Sequence, residues 1–198
     1  MRLALFGGSF DPIHRGHVAI ATAAADAFHL DTVLFAPAGR QPLKPGVSSA
    51  PFADRLAMAA LACAPDPRFT PSSLDAPHPN GSPNYSVDTL ATLHTLHPAA
   101  TLYMLVGADS FLELRRWNQP DLLLTLAQWI VVSRPGFSLD DLSPLQLTPG
   151  QAAQVHLLES VHEDVSATLL RERLHHHDPC DDLLPPAVAA YIRSHHLY

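Results

Sequence analysis

The sequence predicts an α/β fold: a doubly wound parallel sheet with helices on both faces and a small helical part at the C-terminal end. Three observations predict it. Apolar runs of strand length stand at 3–6, 32–36, 101–106 and 129–133. Segments with apolar residues at helical spacing separate them. Glycines stand directly after two of the runs, at Gly7-Gly8 and at Gly107, and an open sheet binds ligands outside the carboxyl ends of its strands. At 198 residues the chain suits one domain, 1–198, with the helical part running from about residue 166 to 198.

The first run leads into Gly7-Gly8-Ser9-Phe10-Asp11-Pro12-Ile13-His14-Arg15-Gly16-His17, and that string opens a helix over 18–28 with Ile20, Ala24, Ala27 and Phe28 at helical spacing. Strand, helix and the strand at 32–36 imply a right-handed parallel crossover. Residues 37–46 form a proline-rich loop with two cations, Arg40 and Lys44, placed either to meet a phosphate or to face solvent. Ser49 reads as the cap of a helix with Pro51 in its first turn and Phe52, Leu56, Ala59, Ala60 and Cys63 on one face. Arg55 lies off that face, turned to solvent or to a neighbouring loop. A short strand at 68–71 and a loop at 74–83 follow. Ser86 reads as the cap of a helix carrying Leu90, Leu93 and Leu96. After the strand at 101–106 come a short helix at 121–126, the strand at 129–133, a loop-like stretch at 137–150 and a last strand at 155–158. Ser166 caps a helix containing Leu170 and Leu174, and Pro185-Pro186 opens a final helix with Val188, Tyr191 and Ile192 on its apolar face.

Several residue types along this path suit phosphate chemistry. Gly7 and Gly8 lack Cβ, which allows a sharp turn and close approach to a phosphate. His14 and His17 are three apart at the mouth of a helix, so their rings can point the same way, above N–H groups and a partial positive charge. Either histidine alone would read as a surface residue; the whole string carries the signal. Asp109, in a Gly-x-Asp directly after a central strand, can accept ribose hydroxyls. Thr168 and Arg171 share a helix face with Ser166 at its start, and hydroxyls, helix N–H groups and a guanidinium together clamp phosphate.

The string at 7–17 resembles the signature of the nucleotidyltransferase superfamily, whose members carry a His-x-Gly-His box after the first strand. Its fuller form is similar to that of the bacterial nicotinate-nucleotide adenylyltransferases. Matches continue along the chain: Lys44 in the proline-rich loop, Tyr85-Ser86 with Thr89-Leu90, Gly107-x-Asp109 followed by Trp117, Arg134-Pro135-Gly136, and Ser166-Ala167-Thr168-Leu169-Leu170-Arg171. Leu43 stands where that family has a histidine, and Ala167 where it has a serine, so at 167 only backbone can act. The resemblance implies a Rossmann-like fold and adenylyl transfer from ATP to nicotinate mononucleotide, giving deamido-NAD and pyrophosphate. It implies ATP contacts at Gly7, Gly8, Ser9, Phe10, His14, His17, Gly107, Asp109, Ser166, Thr168 and Arg171, with His14, His17 and Arg171 stabilising the transfer. It implies acceptor contacts at Lys44, Tyr85, Ser86, Asp109, Trp117 and Arg134, the Trp117 indole stacking on the pyridine ring. Magnesium (Mg2+) would arrive with ATP. The same transfer to nicotinamide mononucleotide or phosphopantetheine, and a non-catalytic nucleotide-binding protein on this fold, stand as the alternatives.

Composition narrows the field. The chain is 47% hydrophobic and 16% charged, as soluble globular proteins are, and 19 prolines stiffen its loops. A net charge of −7 argues against a broad nucleic-acid surface without excluding one nucleotide in a local positive pocket. Cys63 and Cys180 form neither a zinc spacing nor a disulfide framework, Cys63 reading as core and Cys180 as part of a polar loop. No signal-peptide pattern and no membrane-length apolar run is present, so no membrane partner and a cytoplasmic location are expected. Thirteen histidines include the adjacent runs 175–177 and 195–196, but consecutive helical histidines point apart and make poor ligand sets, so no protein-held metal is expected. Oligomeric state is not readable from these features.

Overall fold

The structure, a computed structural model, describes residues 1–42, 50–133, 142–158 and 165–198. In chain order the elements are β1 (Arg2–Gly8), α1 (Arg15–Phe28), β2 (Thr32–Pro37), α2 (Phe52–Cys63), β3 (Phe69–Pro71), α3 (Ser86–Leu96), β4 (Thr101–Gly107), α4 (Ala108–Leu112), α5 (Pro120–Leu126), β5 (Gln128–Val132), α6 (Pro149–Ala152), β6 (Val155–Leu158), α7 (Ala167–His175) and α8 (Pro186–His195). Short 3₁₀ turns cover Leu114–Arg116 and Ser143–Leu145. Among the described residues six strands pair in parallel in the order β3-β2-β1-β4-β5-β6. The chain winds outward from β1 to β3, then returns to the other side of β1 and winds outward again. The carboxyl ends of β1 and β4 therefore flank the switch point where doubly wound sheets bind ligands.

Side-chain alternation assigns the central strands to two cores. Ala4, Phe6, Val33, Phe35, Tyr103 and Leu105 point to one face, covered by α1, α2, α7 and α8. Leu3, Leu5, Leu34, Met104, Val106 and Trp129 point to the other, covered by α3, α4 and α5. The Leu-Ala-Leu-Phe run of β1 is a modest strand former, and strand propensities span only about 1 kcal/mol. Burying each large apolar side chain is worth about 1.5–3 kcal/mol, so burial on both faces decides the outcome.

Local expectations are corrected at several points. Gly7 and Gly8 do not turn the chain: they extend β1, opposite Ala36 and Pro37 of β2. The turn falls on Phe10, at φ 47°. Pro51 occupies the cap position of α2 rather than its first turn, and Ser49 lies outside the described residues. Tyr85, not Ser86, caps α3. Ser166 does occupy the cap position of α7, but its hydroxyl makes no capping bond. Cys180 is fully buried, in a left-handed conformation at φ 51°, with its N–H donating to Asp178 Oδ1. Burial pushes the Cys63 thiol up to about 12, which leaves it protonated and inert at neutral pH. The histidine runs 175–177 and 195–196 are exposed. No helix among the described residues is long and apolar enough to cross a membrane.

Candidate active site

Residues 9–14 carry the chain from the end of β1 to the start of α1. Phe10, expected at the nucleotide, is buried in the core, edge-on to Phe6 at 5.4 Å and to His17 at 5.0 Å. Its ring is a platform under the histidine, which leaves only its backbone to face a ligand. Asp11 is buried, and its Oδ1 accepts the Ala50 N–H at 3.1 Å and the Tyr198 hydroxyl at 2.6 Å. Arg55 is buried too. Its Nη1 donates to the Ser9 carbonyl at 2.7 Å and its Nε to the Ala50 carbonyl at 3.2 Å. Of the two orientations open to Arg55, the structure has the one toward a neighbouring loop. Burial pulls its guanidinium below the usual value, while the nearby Asp11 charge opposes that shift.

His14 caps α1 and stacks on His17, ring centroids 3.6 Å apart and planes 25° apart. The His14 backbone N–H donates to His17 Nδ1 at 3.2 Å. That bond fixes the tautomer: with Nδ1 accepting, the ring proton of neutral His17 sits on Nε2. His14 is only 3% exposed, whereas His17 is half-buried and is the more accessible of the two rings. The end of α1 offers fewer vacant donors than its sequence implied, because the Arg15 N–H already donates to the Leu183 carbonyl at 2.9 Å. The Arg15 side chain reaches the same C-terminal loop, at the carbonyls of Leu184 and Asp181.

The trailing segment meets this loop directly. Arg171 Nη1 donates to the Asp11 carbonyl at 2.8 Å, across 160 residues, and Nη2 to Thr168 Oγ1 at 3.3 Å. Thr168 and Ser166 are exposed beside it on the first turn of α7. The guanidinium and the histidine pair are thus brought to one loop.

On the other side of β1 a cavity of about 200 Å³ opens over Gly7 and Gly8. Tyr85 and Ser86 at the start of α3, together with Trp117, form its far wall. Neither histidine, nor Asp109, Ser166, Thr168 or Arg171, lines it. Among the described residues, its own chain neighbours aside, no atom lies within 4 Å of where a Gly7 Cβ would stand, so their packing does not demand glycine there. Trp117 follows a 3₁₀ turn and leans edge-on against the fully buried Trp129 at 6.0 Å. The first turn of α3 supplies N–H groups without intrahelical partners, suited to a carboxylate. Asp109 is exposed on the first turn of α4, and its Oδ1 stands 2.7 Å from where a Gly107 Cβ would be. Glycine at 107 lets that carboxylate fold back over the end of β4. Lys44 and Arg134 lie outside the described residues. Arg40 is exposed, its Nη1 donating to the Gly81 carbonyl at 2.6 Å.

Four residues given no site role by sequence reasoning brace the site: Asp75 and Asn84 line the cavity, while Asp11 and Tyr198 hold the loop at 9–14. Asp75, buried beside the cavity, accepts the Thr89 hydroxyl; burial raises its carboxyl above the usual range and the Thr89 bond opposes the rise. Asn84 ties loop to helix, accepting the Arg40 N–H at 3.0 Å and donating to the Ala76 carbonyl at 2.9 Å. Asp11 was visible inside the signature; Tyr198 carried no local signal at all.

Gly39 makes this wall possible: a Cβ there would stand 2.5 Å from the Pro77 nitrogen and 2.7 Å from Asn84 Oδ1. The Pro77 backbone cannot yield as a side-chain tip can. Gly39→Ala should cost about 2–3 kcal/mol by overpacking, lowering the melting temperature by about 5–10 °C in a thermal scan. An unchanged melting temperature would show that this loop repacks freely.

Fold and site together define a nucleotidyltransferase. The cytidylyltransferase-like family model matches residues 5–173. A probable nicotinate-nucleotide adenylyltransferase of Roseiflexus sp. (strain RS-1) is 43% identical over 99% of this chain and 97% of its own length. One from Thermus thermophilus is 39% identical over the full length of both. The chain belongs to the nicotinate-nucleotide adenylyltransferase family. The fold of Plasmodium falciparum nicotinic acid mononucleotide adenylyltransferase, solved in complex with NaAD, matches it with a TM-score of 0.79 at 19% identity, covering 100% of this chain and 97% of that one.

Proposed function

We infer that the protein transfers the adenylyl group of ATP to nicotinate mononucleotide, releasing pyrophosphate and deamido-NAD. One observation carries the reading: the cavity at the switch point and the loop that joins the histidine pair to Arg171 meet at the same strand end, Gly7-Gly8. The 5′-phosphate of the mononucleotide attacks the α-phosphorus of ATP in line, one P–O bond forming as the bond to pyrophosphate breaks. The attacking monoester is already anionic, so no protein base is required, and catalysis is positioning plus charge stabilisation.

His17, through Nε2–H, and His14 beside it hold the phosphates as charge grows on the bridging oxygen. Arg171, Thr168 and Ser166 grip the departing pyrophosphate. The backbones of Gly7, Gly8, Ser9 and Phe10 line the phosphate path, and Gly107 lets Asp109 reach a ribose. The α3 N-terminus at Tyr85-Ser86 receives the pyridine carboxylate, and Trp117 stacks on the electron-poor ring. Lys44 and Arg134 are assigned to acceptor charge by the family resemblance. The donors gathered at this site are imidazole, guanidinium and hydroxyl, which suit phosphate rather than a hard cation. Magnesium accordingly enters as part of the Mg·ATP substrate, neutralising phosphate charge with phosphate and water oxygens as its ligands. The chain works as one unit, 1–198, with 166–198 integral to it because Leu170, Val188 and Ile192 share the core of Phe6. Its partners are ATP and the mononucleotide, and its setting is the cytoplasm.

The test is pyrophosphate release with ATP and each of three acceptors: nicotinate mononucleotide, nicotinamide mononucleotide and phosphopantetheine. The acid should give the highest kcat/KM. Equal or faster turnover of another acceptor would reassign the specificity, and ATP binding without release in any case would leave a nucleotide-binding protein.

A further inference from the structure

We propose that Tyr198 is a positioning residue for nucleotide binding: its hydroxyl holds Asp11, and the Asp11 carbonyl in turn aims Arg171 at the phosphates. The inference rests on the reading that Arg171 meets the triphosphate. Tyr198 lies 187 residues from Asp11, yet its OH donates to Asp11 Oδ1 at 2.6 Å. Asp11 is 4% exposed and its carboxylate also accepts the Ala50 N–H, so donors from distant parts of the chain fix it. The main-chain oxygen of the same residue accepts Arg171 Nη1, and Thr168 takes Nη2. Arg55 clamps the preceding Ser9 carbonyl. The loop segment 9–11 is therefore held on three sides, by Arg55, by Tyr198 and by Arg171 itself. Only Arg171 of the three also stands beside the exposed hydroxyls of α7.

Burial and the neighbouring Asp11 raise the Tyr198 phenol, while the Arg171 and Arg55 charges oppose that shift. The phenol therefore stays protonated and acts as the donor. Removing the hydroxyl leaves the ring in place but frees one side of Asp11. The carbonyl that aims Arg171 then loses its fixed position, whereas the acceptor cavity beyond Gly7-Gly8 contains neither residue.

The experiment measures equilibrium binding of Mg·ATP and of nicotinate mononucleotide by calorimetry, with melting temperatures, for the wild type, Tyr198→Phe, Arg171→Ala and the double variant. Tyr198→Phe should weaken ATP about 5–10-fold and leave the mononucleotide within about twofold. In the Arg171→Ala background the same change should have no further effect on ATP, because it acts through the missing guanidinium. Unchanged ATP affinity in Tyr198→Phe, with or without a lower melting temperature, overturns the proposal. So does an equal loss in both backgrounds, or a matching loss of mononucleotide binding. If Arg171→Ala itself leaves ATP binding intact, the phosphate-site reading fails along with the proposal, and the two failures are thereby told apart.

Discussion

His17→Ala is expected to lower kcat by about 10²–10³ while the chain stays folded. The His17 ring is held in three ways: stacked on His14, seated edge-on against Phe10, and locked in its Nε2–H tautomer by the His14 backbone N–H. Such a donor needs no reorganisation as charge develops on the phosphates, and that preorganisation is what alanine removes. The structural loss is small by comparison. One capping bond at the start of α1 disappears, worth about 1 kcal/mol, or about 2–4 °C in melting temperature for a chain of this size. Steady-state pyrophosphate release and a thermal scan separate the two effects. A kcat within about threefold of wild type would remove His17 from the catalytic set.

Arg171→Ala should cost a similar factor, about 10²–10³ in kcat, and Arg171→Lys should restore little of it. The guanidinium spends Nη1 on the Asp11 carbonyl and Nη2 on Thr168, geometry that only a planar fork satisfies while still presenting N–H groups outward. A lysine ammonium keeps the charge but cannot hold both anchors and a phosphate in one plane. If Arg171→Lys retained more than about a third of wild-type kcat, point charge rather than orientation would be the operative property.

Most of the sheet was legible in the chain because its central strands are buried on both faces and so read as unbroken apolar runs. Bounds were missed where pairing rather than side chains decides them: Gly7 and Gly8 join β1 because Ala36 and Pro37 lie opposite, which no local pattern states. Caps were misplaced at Pro51 and Tyr85 for a related reason, since neither closes a side-chain capping bond. The signature histidines and Arg171 were legible as types at fixed spacing. Their junction through the Asp11 carbonyl was not, because a main-chain acceptor has no residue identity. Asp75 and Tyr198 were invisible for the same reason of distance: each matters through a partner that only the folded chain brings near, as do the ties of Asn84 to Arg40 and Ala76. Cys180 does lie in a loop, as its polar neighbours announce, but those neighbours gave no sign that the chain tucks its side chain inward.

The sheet separates two packing compartments, and the two halves of the site draw on different ones. The loop at 9–14 and α7 rest on the layer that holds Phe6 and Leu170, while Trp117 and α3 rest on the layer that holds Met104 and Trp129. Substitutions that recut the cavity at Trp117 therefore relax within their own layer, with a strand between them and Arg171. On the proposed assignment, a scaffold of this kind lets the acceptor change without relearning how to hold ATP.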